Sequence, residues 1–458
     1  MAGIGFVLRR LARRDDLLGI VQGYAYSAFV SSGPWLFTVL AIAAVTGASR
    51  GLVARGEAEV FRLVLSYNFC FSLVLSGPLL MVLTRWLADS IYAREVEKVP
   101  GVFVACFCAV ALGGLLAAGP FYWIYADLPR GVAAVAVANF VAVSGIWLVS
   151  TFLSALKDYR SIALAFGAGA LLAVAAGYGL SRLGVEGGVL LGFTLGLLAI
   201  LFALVAKLLA EYPYPFRPSR DFLLHFRRYP ELAATGLVGN AAIWVDKWVL
   251  WFAPEADAPG HGLVSYSAYD GAMFFAYLSI VPAMAVFIVN VETGFYEAYK
   301  RYYAEIQHHV DLDRIRANRR GIARVLIHSS RGIAVLQTCV AAIVLLGTPA
   351  LIDAGLLVPQ QLGMFRYGVL GSAFQVMFVF CCIVLAYFDR RMDVLWLQAV
   401  YLALNGGLSA LFMALGYPFY GYGYFLASLI VMVLAYLVCL RRVQDLDFLT
   451  FLRQNTSV

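Results

Sequence analysis

Long charge-free runs dominate the chain. The first covers 17–49, with Ser31-Ser32-Gly33-Pro34 inside it. Five more cover 63–84, 99–126, 131–156, 161–181 and 187–206, and a polar stretch, 207–231, follows. The second half repeats the pattern with 232–253, which carries Asp246 and Lys247 within it, with 263–291, which carries Asp270, and with the charge-free 332–352 and 367–388. It closes on one unbroken run, 394–440, long enough for two crossings. Gly416-Tyr417-Pro418 and Gly421-Tyr422-Gly423 mark the turn inside it, because Pro and Gly interrupt helices. A helix needs about 20 apolar residues to cross the hydrocarbon. The pattern therefore predicts an all-α polytopic membrane protein of twelve transmembrane helices. It divides into an N-terminal six-helix lobe (1–206), a linker (207–231) and a C-terminal six-helix lobe (232–458).

Between the runs, polarity is patterned too. Ile4, Val7, Leu8 and Leu11 share one helical face, and Arg9, Arg10, Arg13 and Arg14 lie among them. That predicts an interfacial helix, not a cleaved signal peptide. In the loop 292–331, Phe295, Tyr296, Tyr299, Tyr302, Tyr303 and Ile306 alternate with Glu297, Lys300 and Arg301. An amphipathic helix on the membrane surface fits this, and so does a docking surface for a partner. Most of the 34 Lys+Arg residues fall on one side of the twelve-span scheme, the side holding both termini and the 292–331 loop. By the positive-inside rule that side is cytoplasmic.

Composition narrows the classes. Of 458 residues, 62% are hydrophobic and 13% charged, half the charge of an ordinary soluble domain. A soluble enzyme is excluded. The net charge of +7 sets topology and does not signal nucleic acid. The seven cysteines all lie in apolar runs with no Cys-x-x-Cys pair, and none of the five histidines is mid-membrane, so no metal site is expected. There is no nucleotide-binding P-loop. Asp311/Asp313 and Asp445/Asp447 form Asp-x-Asp pairs, which read as solvated faces of short polar segments. Gly192-x-x-x-Gly196 predicts close helix packing.

The halves also resemble one another. The fourth span leaves the membrane as Ala155-Leu156-Lys157-Asp158-Tyr159-Arg160, and the tenth as Ala386-Tyr387-Phe388-Asp389-Arg390-Arg391. Both read Ala-x-x-Asp-x-Arg. Gly119-Pro120 before Asp127 matches Thr348-Pro349 before Asp353. A parallel pseudo-repeat accounts for both matches.

Candidate chemistry lies in the polar residues inside the spans. Asp246, Lys247 and Asp270 share a level in the outer half of spans seven and eight, where an ion costs at least ~2.5 kcal/mol. Asp246 and Lys247 are neighbours, about 100° apart on a helix. The expectation is that Lys247 reaches across to Asp270 while Asp246 faces a cavity and takes up a cation. A pair that merely fastens two helices, or an Asp270 facing water, explains the charges equally well. Amides and aromatics that could hold a sugar are Tyr24, Tyr26, Trp35, Asn68, Asn240, Trp244 and Asn290. An interfacial aromatic belt is the plainer account of such rings, and of Trp251 above all. Ser32, Gly33 and Pro34 form a helix break, since proline removes a backbone hydrogen bond and kinks the helix.

The opening Met1-Ala2-Gly3-Ile4-Gly5-Phe6, the Arg-rich stretch, Gly23-Tyr24 and Ser31-Ser32-Gly33-Pro34-Trp35 resemble the PelG family. Those are inner-membrane transporters of the Pel exopolysaccharide, in the multidrug/oligosaccharidyl-lipid/polysaccharide exporter superfamily. The resemblance covers the whole chain, including its length and its long loop after span eight. It implies two six-helix lobes around a central cavity and alternating access. It implies export of an amino-sugar-rich, N-acetylgalactosamine-containing polymer. As partners it implies a cytosolic glycosyltransferase and a membrane-anchored cyclic-di-GMP receptor. No cation site of the family maps residue by residue, so a coupling ion, H+ or Na+, rests on physics alone.

The resulting expectation is a non-enzymatic exporter of Pel polysaccharide in a bacterial inner membrane. One rival is an ion-coupled exporter of small amphipathic molecules. Another is a membrane-embedded glycosyltransferase using Glu57 and Glu59 of the first outer loop.

Overall fold

The computed structural model describes residues 37–49, 51–156, 159–217, 221–257 and 262–453. Their regular structure is helical throughout, apart from one isolated antiparallel bridge, Asp257 to Ser265. Ten helices among the described residues are long and apolar enough to cross a membrane. The first expected span lies mostly outside the described residues; α1, Phe37–Ala48, is its described part. The seventh is α8, Pro230–Leu250, a helix of 21 residues carrying Glu231, Asp246 and Lys247, and it is not among the ten.

Two compact units emerge. The first is Ser32–Trp244 with Pro254–Ser265, and the second holds Val245–Ala253 and Tyr266–Val458. The division falls inside α8, beyond the polar stretch 207–231.

In the first unit, α2 is Arg55–Ala93, 39 residues and roughly 58 Å long, and so outreaches the bilayer. It is followed by α3 (Val99–Pro120), α4 (Arg130–Leu156), α5 (Tyr159–Arg182), α6 (Gly188–Glu211) and α7 (Asp221–Arg228). Bare backbone governs the packing of α5 on α6. A Cβ on Gly192 would lie 2.2 Å from the Gly177 nitrogen, and one on Gly196 2.5 Å from the Gly169 oxygen. The Gly192-x-x-x-Gly196 spacing thus does the packing expected of it. The start of α8 approaches α2 equally closely. A Cβ on Gly236 would be 2.2 Å from the Gly77 oxygen.

The second unit contains α9 (Ser267–Leu278), α10 (Val281–Asn290), α11 (Tyr296–Gln307) and α12 (Leu312–Leu346). It is completed by α13 (Leu362–Tyr387), α14 (Arg391–Leu415) and α15 (Tyr422–Gln444). The turn inside the long run falls where Gly and Pro placed it. Gly416 and Gly421 have φ of +102° and +91°, a backbone region other residues enter only at a cost. The second Ala-x-x-Asp-x-Arg copy is a tight turn. Asp389 has φ +55° and receives two 2.7 Å hydrogen bonds from the Arg391 guanidinium. Lys157 and Asp158 of the first copy lie outside the described residues.

One surface expectation is corrected. The aromatic face of α11 turns inward: Phe295 lies edge-on to Tyr387 at 5.1 Å and Tyr299 packs on Phe388. Tyr302 is fully buried, its phenol raised above the ordinary value by that burial, and it donates to Asp447 at 2.9 Å. Asp447 also pairs with Arg319 at 3.3 Å, while Asp311, Asp313 and Asp445 are exposed, in keeping with the solvated-face reading. Rings at i, i+3 and i+4 can meet membrane or protein alike, and here the end of α13 supplies the protein surface.

Candidate functional site

The polar atoms of the second unit converge on Asp246, in the last turns of α8. Asp246 is 0% exposed and Lys247 5%. Tyr269 of α9 donates its hydroxyl to Asp246 Oδ2 at 2.8 Å. Asn405 of α14 donates from Nδ2 to Oδ1 at 3.4 Å. Lys247 Nζ lies 3.4 Å from both carboxylate oxygens. The ammonium also donates to the Tyr277 hydroxyl at 3.2 Å and sits 4.9 Å from that ring's centroid, a cation–π contact.

Helical spacing builds this cluster. Tyr269 and Tyr277 are two turns apart on α9, and Tyr401 and Asn405 one turn apart on α14. Tyr424 and Ser428 stand one turn apart on α15. Tyr424 donates to Gln375 of α13 at 2.6 Å, and Tyr401 and Ser428 hydroxyls are 3.5 Å apart. Glycines make the space. A Cβ on Gly371 would lie 2.4 Å from the Tyr424 ring, and one on Gly406 3.1 Å from Val245.

Buried charge at this depth survives only when paired and hydrogen-bonded. The pair is internally neutral, and three donors converge on the carboxylate. This corrects the expected Lys247–Asp270 pair and the expectation that Asp246 looks elsewhere. The 100° between neighbours separates the Cβ directions, but four methylenes let Lys247 fold back onto a carboxylate that Tyr269 and Asn405 hold still. Asp270 Oδ2 instead accepts the indole N–H of Trp251 at 3.0 Å. Trp251 is 4% exposed, so it is a core residue and not part of an interfacial belt.

The other sugar-binding candidates are scattered. Asn68 is 0% exposed in the first unit, and its amide is spent there. It donates to Ala136 O and Asn139 Oδ1, each at 2.9 Å, and accepts from Tyr122 at 2.8 Å. Asn139 passes the chain on to Thr194 at 3.0 Å. Asn240 donates to the Leu73 and Gly236 carbonyls across the α2–α8 approach. Trp244 and Asn290 are half-buried. Tyr24, Tyr26, Trp35, Ser32, Gly33 and Pro34 lie outside the described residues. Sequence reasoning passed over Tyr269, Tyr277, Tyr401 and Tyr424. The signal was available: tyrosines well inside an apolar run need a partner for the hydroxyl, since water is absent there.

The chain, helical in its described residues, has solved structural relatives. A MOP superfamily transporter from Pyrococcus furiosus, described as having a binding pocket of reverse polarity, aligns with TM-score 0.65 at 15% identity, covering 92% of this chain and 96% of that one. A MATE transporter in its straight conformation aligns with TM-score 0.66 at 15% identity, covering 93% and 96%. The outward-facing form of a multidrug resistance MATE family transporter gives 0.63 at 16%, covering 92% and 96%. The fold is therefore that of a MOP superfamily transporter, a polytopic membrane protein. The profile of the PelG exopolysaccharide exporter family (EPS-E) matches residues 1–451, and the chain belongs to that family. A comparison with curated proteins found no match.

Proposed function

We propose that this membrane exporter moves Pel polysaccharide, an amino-sugar-rich polymer, across the bacterial inner membrane by alternating access, without itself catalysing a reaction. The observation that carries this reading is the family match along residues 1–451. The polymer would be made by a cytosolic glycosyltransferase and handed over in a complex with a membrane-anchored cyclic-di-GMP receptor. For coupling, a proton fits the cluster better than sodium. The Asp246 carboxylate already receives Tyr269, Asn405 and the Lys247 ammonium, so sodium would have to displace a tethered cation. A proton could instead break the pair by neutralising the carboxylate.

The test is a cell lacking this chain but holding the rest of the export system. Polymer should accumulate inside it and reach the periplasm again when the chain is restored. Loss of synthesis after Glu57→Gln with Glu59→Gln would favour the glycosyltransferase rival, and drug efflux by the restored cell the small-molecule rival. Orientation is tested separately. A reporter after Val458 or within 292–331 should signal cytoplasm, and one after Asp257 periplasm. A periplasmic signal from Val458 overturns both the span number and the inside assignment.

A further inference from the structure

In the second unit a shallow apolar groove runs between α12 and α15, with α13 as its floor. Ala323, Ile327 and Ser330 of α12 form one wall, Tyr436 and Leu440 of α15 the other, and Phe380 lies beneath. Both walls follow helical spacing. The cleft opens sideways, since Ile327 is 53% exposed and Leu437 of α15 50%.

One end of the cleft is basic. Arg320 stands one turn before Ala323 on the stripe that lines the wall, and Arg324 is one turn before Ile327. Arg441 adjoins Leu440 at the same end. All three are exposed and make no ion pair with any described residue. The acids nearby are engaged elsewhere: Asp447 with Arg319 and Tyr302, and Asp393 with Arg442 through two 2.7 Å hydrogen bonds. An apolar groove that ends in unpaired arginines is complementary to a molecule with a hydrocarbon tail and an anionic head.

We propose that this cleft binds an anionic phospholipid, with an acyl chain between α12 and α15 and its phosphate on Arg320 and Arg324. Arg441 adds positive potential from the other wall. The site is separate from the Asp246 cluster and stands whichever substrate the protein exports.

The experiment titrates the detergent-purified full chain with dioleoyl phosphatidylglycerol, dioleoyl phosphatidylcholine and glycerol phosphate, reading bound lipid by native mass spectrometry. The wild type should prefer phosphatidylglycerol over phosphatidylcholine about tenfold or more. Each basic residue near a headgroup contributes a factor of about five, so R320Q with R324Q should remove most of that preference. Arg320→Lys with Arg324→Lys should keep it, which separates charge from any general damage. Ala323→Phe should fill the cleft and weaken both lipids. Equal binding of the two lipids to the wild type overturns the proposal, as does a preference that survives the double Gln variant. Glycerol phosphate binding as tightly as phosphatidylglycerol would overturn it in favour of a free-phosphate site. A change of oligomeric state with Ala323→Phe, without loss of lipid, would assign the cleft to a second copy instead.

Discussion

Asp246→Asn is expected to destabilise the protein by about 3–5 kcal/mol, the usual result of removing one member of a buried ion pair. The substitution leaves the Lys247 ammonium, 5% exposed, with the Tyr277 hydroxyl and ring in place of a full counter-charge. The Asn carbonyl can still accept from Tyr269, so the loss is chiefly electrostatic. Lys247→Met is expected to cost less, because the Tyr269 and Asn405 donors continue to hold the carboxylate. The double change, Asp246→Asn with Lys247→Met, should recover most of the lost stability, since removing both charges removes the desolvation cost with them. Fluorescence-detected gel filtration after graded heating measures all three. If the pair also couples transport, the stable double variant will still fail to export. A double variant less stable than Asp246→Asn would show that the two residues are not partners. One that exports at the wild-type rate would show that the pair has a structural role alone.

Gly192→Val should leave almost no folded protein. Ordinary overpacking costs about 1–3 kcal/mol because neighbouring side chains yield. Here the obstructing atoms are backbone, with the Gly177 nitrogen 2.2 Å and its Cα 2.4 Å from the new Cβ. The helices α5 and α6 would have to part along their length. Gly167→Val is the matched control, because nothing lies within 4 Å of a Cβ there. The expected outcome is a normal yield for Gly167→Val and a collapsed yield for Gly192→Val. Equal yields would mean that α5 and α6 do not meet along this glycine seam.

Ten of the twelve expected spans were legible because hydrocarbon imposes a length and disfavours charge, and both rules act on sequence directly. Gly416 and Gly421 were legible as a turn for the same kind of reason: few residues tolerate that backbone. Membership of the charge cluster was partly legible, since Asp246 and Lys247 are costly wherever they point. Their pairing was not. Helical phase fixes where a Cβ starts, and the flexible Lys247 side chain then goes where the strongest acceptor is held. The tyrosines were hidden by their dual character. A tyrosine in an apolar run looks like belt or core until the partner on another helix is known, and Gln375 lies 49 positions from Tyr424. Asn68 was misjudged for the opposite reason. A lone amide suggested an open binding group, but Asn139, Tyr122 and the Ala136 carbonyl take up its hydrogen bonds. The inward turn of α11 depended on Tyr387 and Phe388, far along the chain.

The neutrality of the Asp246–Lys247 pair bears on how voltage acts on the protein. A membrane potential does work of about 2.3 kcal/mol per 100 mV on each elementary charge carried fully across. While the pair is intact, its movement transfers a dipole and no net charge, so the field does almost no work on it. Protonating Asp246 would leave Lys247 as one uncompensated positive charge, and the same movement would become electrogenic.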